Sequence, residues 1–148
     1  AEHPLFARAD LVLLTTGATL PDVAALLSPV VPGTTVLDEC RGALARTGRG
    51  QQLRLLAVER ARDNYADREI AAAAGAPVVG RIPWAPGAAA VHSHGARPPG
   101  RRERDRHRAA VDRTACAIRQ ALAERHELLG GEAHAAALDA AGTGGGTR

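Results

Sequence analysis

Three groups of residues in this chain have the types and spacing to do chemistry. Pro83 and Trp84 follow a short apolar run, a position that puts an aromatic ring where a buried strand ends. His92, Ser93 and His94 place two imidazoles two residues apart. Arg97, Arg101, Arg102, Arg104, Arg106 and Arg108 form a basic cluster, diluted by Glu103 and Asp105. Each has a functional and a plain reading. The tryptophan can stack on a planar ligand or simply cap the edge of a sheet. The histidines can bind zinc if a third ligand joins them, but His3, His107, His126 and His134 are scattered, and exposed loop residues are the simpler account. The arginines can neutralise phosphates and give salt-sensitive, sequence-independent DNA contact, or they can be a solvated helix face.

One absence limits the chemistry. All 19 basic residues are arginines, and lysine does not occur. Phosphate-binding loops of the common ATPases place a lysine against the terminal phosphates, and this chain has none to offer. Ser28 and Ser93 lack the glycine-elbow setting of a nucleophile. No carboxylate pair has a spacing that points to a shared acid–base site. Asp38 to Arg41 is the most polar helical patch and is expected to face solvent.

The elements that must position these residues follow from periodicity. Asp10 to Thr16 is a continuous apolar run of the kind buried on both faces in parallel sheets. Thr19, Pro21 and Asp22 resemble a capped start for a helix reaching Ser28, ended by Pro29 and Pro32-Gly33. A weaker helix is expected from Thr35 to Arg46. Gln52 to Val58 is the second strand, and Asp67 is placed to cap a helix that stops on Gly75. Ala76 to Ile82 is the third strand, broken by Pro83. Strands alternating with helices predict βαβ units with right-handed crossovers. A short helix from Ala88 to His92, a Pro/Gly break from Gly95 to Gly100 and a long helix from Arg102 to Leu129 complete the order. Val111, Ala115, Ile118 and Leu122 recur on that helix as an apolar stripe, and Gly130-Gly131 is expected to close it. The Gly-rich tail to Arg148 reads as disordered.

The chain of 148 residues is alanine-rich and 2% aromatic, so its core should be thin. Burial of a leucine or valine contributes roughly 1.5–3 kcal/mol, and alanine far less. Cys40 and Cys116 lack CxxC spacing and are expected as free thiols. No membrane-spanning run or signal peptide is visible, and cytoplasmic placement is the expectation. Ala1 in place of a methionine, and no methionine elsewhere, suggest a fragment.

Three segments carry a family resemblance. "ADLVLLTTGATLPDVAAL" resembles the strand and helix that follow the Walker B and switch region in ParA/MinD-type ATPases, deviant P-loop enzymes that position chromosomes, plasmids, septa and flagella. "LRLLAVERARDNYADREIAAAAG" resembles their strand ending in Val-Asn-Arg with the following helix. "APVVGRIPWAPGAAAVHSHGA" is similar to their "PVLGxLPxDPxAAAVLSxG" segment. The matches span roughly residues 1 to 97 in the family's order. The resemblance implies a partial P-loop NTPase-type α/β fold: about three parallel strands with flanking helices and a long C-terminal helix. It divides the chain into the carboxyl-terminal half of an ATPase-like domain (1–96), a basic linker and long helix (97–130) and a tail (131–148). It implies ATP and magnesium in the intact family, a dimer, and nonspecific DNA contact through the arginine cluster. Walker A and the Walker B aspartate would lie in a missing amino-terminal half, so hydrolysis is not expected of this chain alone. The retained residues would be those beside the base: Glu59, Arg60, Pro83 and Trp84. Glu59 stands where the family has asparagine, and a carboxylate can only accept hydrogen bonds. Ala85 stands where the family has aspartate. A nonenzymatic DNA-binding or partner module built on half the fold is the alternative, and a nonfunctional remnant a further one.

Overall fold

The computed structural model describes residues 9–60 and 64–142, with only the backbone described at Val31, His92 and 129–142. Its centre is a three-stranded parallel sheet of β1 (Val12–Gly17), β4 (Leu53–Glu59) and β5 (Val78–Pro83) in the order β1-β4-β5. This is the α/β class expected from the alternating apolar runs. Register runs from Val12 opposite Leu53 to Gly17 opposite Val58, and from Leu55 opposite Val78 to Glu59 opposite Pro83. It slips between Leu55 and Leu56, whose partners are Val78 and Gly80. A parallel sheet puts all carboxyl ends on one side, so Gly17, Glu59 and Pro83 share an edge.

Helices α1 (Leu20–Leu27), α2 (Val36–Arg46) and α3 (Asp67–Ala74) build the core on one face of the sheet. Leu37, Leu44, Leu55 and Ile70 are the large, fully buried residues there, surrounded by alanines. Alternation in β4 explains the choice: Leu53, Leu55 and Ala57 are buried, while Arg54, Leu56 and Val58 lie half-buried on the other face. Helix α2 starts as a capping box. The Thr35 hydroxyl accepts the Asp38 N–H at 3.0 Å, and Asp38 Oδ2 accepts the Thr35 N–H at 3.2 Å. Helix α3 ends on Gly75 at φ 57°, a conformation that suits glycine.

Several local expectations need correction. Pro29–Val31 and Thr34–Thr35 form a small antiparallel hairpin, β2 and β3, turning at Gly33 with φ 84°. A three-residue strand at a sheet margin tolerates a proline, which is why the prolines did not simply break the chain. Ala66, not Asp67, precedes α3 at the cap position, and Glu69 accepts the Ala66 N–H at 2.7 Å. Asp67 instead receives Arg81. The polar patch on α2 is only partly solvated: Asp38 and Glu39 are exposed, whereas the half-buried Arg41 donates to the Ala74 carbonyl.

The short helix α4 spans Pro86–His94, and α5 spans Arg101–Gly142. The diglycine at 130–131 does not end α5. Each glycine costs a helix about 1 kcal/mol without forbidding it, and alanines follow. Of the expected stripe on α5, Ala115, Ile118 and Leu122 are half-buried, but the deepest contacts with β5 fall on other residues. Ala110 and Thr114 are buried, whereas Val111 is 39% exposed. A Cβ on Gly80 would fall 2.6 Å from Thr114 Cγ2 and Oγ1. The bare glycine therefore lets small helix residues approach β5 closely. At the far end, with its amide oriented to satisfy its neighbours, Gln52 accepts from Arg125 Nη2 at 2.8 Å and donates to the Ala9 carbonyl at 2.8 Å. Helix α5 thus runs antiparallel to the strands, from Arg106 beside Glu59 to Arg125 beside Gln52.

Candidate functional site at the carboxyl edge of the sheet

The carboxyl edge gathers the sequence-selected residues Glu59, Arg60, Pro83 and Trp84. Backbone bonds fix them: Trp84 N–H donates to the Glu59 carbonyl at 2.7 Å, and Ala18 N–H to the Val58 carbonyl at 2.9 Å. Pro83, opposite Glu59, ends the ladder and throws Trp84 outward. The indole is 57% exposed. The Arg60 guanidinium lies 5.2 Å from the ring centroid, a cation–π distance. Arg60 Nη1 also stands 3.7 Å from Asp22 Oδ1, and Asp22 Oδ2 accepts from Thr19 Oγ1 at 2.6 Å. Thr19 therefore holds a side chain of α1 rather than capping its backbone. A Cβ at Gly17 would collide with that carboxylate, so the glycine makes room for it.

Glu59 is held between two arginines. Its Oε2 lies 3.3 Å from Arg106 Nη2, and its Oε1 lies 3.9 Å from Arg81 Nη1. Arg81 is the residue that sequence reasoning missed. Its Nε donates to Asp67 Oδ1 at 2.9 Å and its Nη2 to the Tyr65 carbonyl at 2.7 Å. One cation thereby ties β5 to the start of α3 and to the loop before it. An arginine in the middle of an apolar strand was the available signal.

Two clefts open beside this cluster. One, of about 400 Å³, lies between β5 and α5 and is lined by Glu59, Arg81, Arg106, Arg113 and Thr114 among others. The second, of about 250 Å³, is lined by Pro83, Trp84, Ala85, Arg102, Glu103 and Arg106. They share Pro83 and Arg106. Three arginines against one glutamate make the larger cleft attractive to anions.

The arginine cluster does not form one surface. At a helical pitch of 3.6 residues per turn, Arg102, Arg106 and Arg113 share one stripe of α5, facing the clefts. Arg101 and Arg108 lie elsewhere on the helix and are engaged by their own carboxylates, Asp105 at 3.5 Å and Asp112 at 3.9 Å. Arg104 lines a different groove, against α4. Arg97 is exposed in the segment before α5. Exposed i,i+4 pairs of this kind contribute only a few tenths of a kcal/mol, about 0.3–0.5, and offset only part of the charge locally.

Among the described residues, no three or more His, Cys, Asp or Glu side chains are grouped to hold a metal ion. His94 is exposed, and His3, His134 and the His92 side chain lie outside the described residues. Cys40 is half-buried and Cys116 exposed, and both are free thiols. Burial, with the Glu39 carboxylate second, pushes the Cys40 thiol up from its ordinary value. Among the described residues no helix is long and apolar enough to cross a membrane. Comparisons with family models, with curated proteins and with solved structures return no match to this chain.

Proposed function

We propose that this chain is the base-side half of a ParA/MinD-like nucleotide-binding domain, completed across β1 by the strands that carry the phosphate-binding loop. The observation that carries the reading is an exposed tryptophan fixed at the carboxyl end of a three-stranded parallel sheet. Ligands of open α/β sheets bind outside the carboxyl ends of the strands, which is where Trp84 stands. Its ring offers a stacking surface, and Arg60 beside it favours an electron-rich partner. Glu59, held between Arg81 and Arg106, acts as the counter-ion that keeps those two guanidiniums in place rather than as a base-reading group. The donor set suits a base but not a magnesium-bound triphosphate. The chain has no lysine, and the carboxylates of the edge, Asp22, Glu59 and Asp67, are each engaged by arginine. Phosphate chemistry would come from the other half, in a dimer or larger assembly that works in cellular positioning.

Trp84 is the only tryptophan, so its fluorescence reports the site directly. Adenosine and guanosine should quench it at millimolar concentrations, whereas inorganic tripolyphosphate should not. No quenching by either nucleoside would remove the base-side reading. Phosphate release from ATP that copurifies with the chain would contradict the assignment of phosphate chemistry elsewhere.

A second reading, sequence-independent DNA contact, is favoured by the stripe of Arg102, Arg106 and Arg113. Duplex binding should then weaken steeply with salt. The Arg102→Ala, Arg113→Ala pair should lower it more than the Arg101→Ala, Arg108→Ala pair, because each of the latter arginines has a carboxylate one turn on that offsets part of its charge.

A further inference from the structure

On the opposite side of α5 lies a groove that neither reading uses. Its walls are Ala88 and Val91 of α4, Pro98 and Pro99 of the connection, and Val111 of α5. Its remaining lining is cationic or imidazole: Arg104, His107 and Arg108. Positions 104, 107, 108 and 111 form one i, i+3, i+4, i+7 face of the helix, the face a neighbouring helix normally covers. Helix α4 is too short to do so. It ends at Gly95, φ 64°, and the chain leaves through Pro98-Pro99. What remains is a half-open space of about 350 Å³.

We infer that this groove binds a short amphipathic carboxylate, an aliphatic acid whose tail lies on the Val91–Val111 floor and whose head meets Arg104 and Arg108. Three observations support that chemistry. The floor is apolar, and ligand sites characteristically combine an apolar lining with a few convergent polar groups. No carboxylate lines the groove, so its charge is uncompensated from within; Asp112 reaches Arg108 only at 3.9 Å, between exposed side chains. Two guanidiniums one helical turn apart suit a carboxylate, which accepts charge-assisted hydrogen bonds on both oxygens. The size follows from the volume: at roughly 30 Å³ for each water-sized group, the space holds at most about twelve non-hydrogen atoms. Octanoate is a ligand of that size.

The test uses the intact chain, with the methyl resonances of Val91 and Val111 followed by NMR during titration with octanoate, octylamine or acetate. Octanoate should shift both valines, octylamine should bind at least roughly tenfold more weakly, and acetate should leave the methyls unmoved. Arg104→Gln with Arg108→Gln should weaken octanoate by a similar factor, and Val111→Asp should abolish binding; these three positions are exposed, and circular dichroism checks that α5 survives. Should the double variant unfold, the octanoate-to-octylamine ratio in the wild-type chain decides alone. Equal binding of acid and amine, unchanged affinity in the double variant, or octanoate shifts confined to residues away from the groove would each overturn the inference.

Discussion

The two edges of the sheet are finished in opposite ways. At β5 the chain closes its own edge: α5 packs along the strand, Gly80 admits Thr114, Arg81 ties the strand to Asp67 and Glu59, and Pro83 stops the ladder. At β1 nothing comparable occurs among the described residues. The strand pairs with β4 alone, carries no charge and no proline, and leaves Leu13 36% exposed and Thr15 exposed. Proteins blunt free edges with charges, prolines, bulges or covering elements. β5 has all four, whereas β1 has none among the described residues. The contrast leaves β1 as the open edge of the sheet among the described residues, the edge at which the proposed function would add a further strand.

The closed edge should be the more fragile to added volume. Gly80→Ala is expected to cost about 1–3 kcal/mol by overpacking, and a Thr114→Ala background should reduce that loss; urea denaturation of the two single variants and the double measures it. If Gly80→Ala were neutral, α5 would not be closing this edge. Next in size, Arg81→Ala should cost about 1–2 kcal/mol, since hydrogen bonds to charged groups are lost and Glu59 keeps only Arg106. Thr15→Lys at the open edge should change stability by no more than about 0.5 kcal/mol, yet it should suppress any concentration-dependent self-association seen by sedimentation. A large loss of stability there would mean that β1 is already covered. The smallest effect lies away from both edges, at α2. The Thr35 hydroxyl, then the Thr35 N–H, and then Arg41 hold the Asp38 carboxyl below its ordinary value of 3.8. A depressed folded value stabilises the native state above the unfolded value, and that contribution is lost as pH falls through the folded one. Asp38→Asn should therefore lower stability slightly near neutrality and flatten the profile on the acid side, below about pH 4, where the wild-type chain loses this contribution.

The three strands, the order of helices and the edge that carries Trp84 were legible because each is a local pattern: an apolar run, a glycine stop, a proline after a strand. The packing of α5 was only partly legible: Ala115, Ile118 and Leu122 are half-buried as the stripe implies, but they do not make the closest contacts. Hydropathy favoured Val111, Ile118 and Leu122, but close approach to Gly80 selects small residues, Ala110 and Thr114, a match between segments that neither reveals alone. Arg81 escaped for the same reason, since its three partners come from α3, the loop before it and β4. The arginine cluster could be counted but not divided. Only the helix phase separates Arg102 and Arg106 from Arg101 and Arg108, whose carboxylates lie one turn on.

Amide hydrogen exchange on the chain, at a concentration where it is monomeric, tests the open edge most directly. Alternate amides of β1 point away from β4 and should exchange at rates near those of loops, while the amides of β4 stay protected. Uniform protection along Val12–Gly17, equal to that of Leu53–Glu59, would contradict the account.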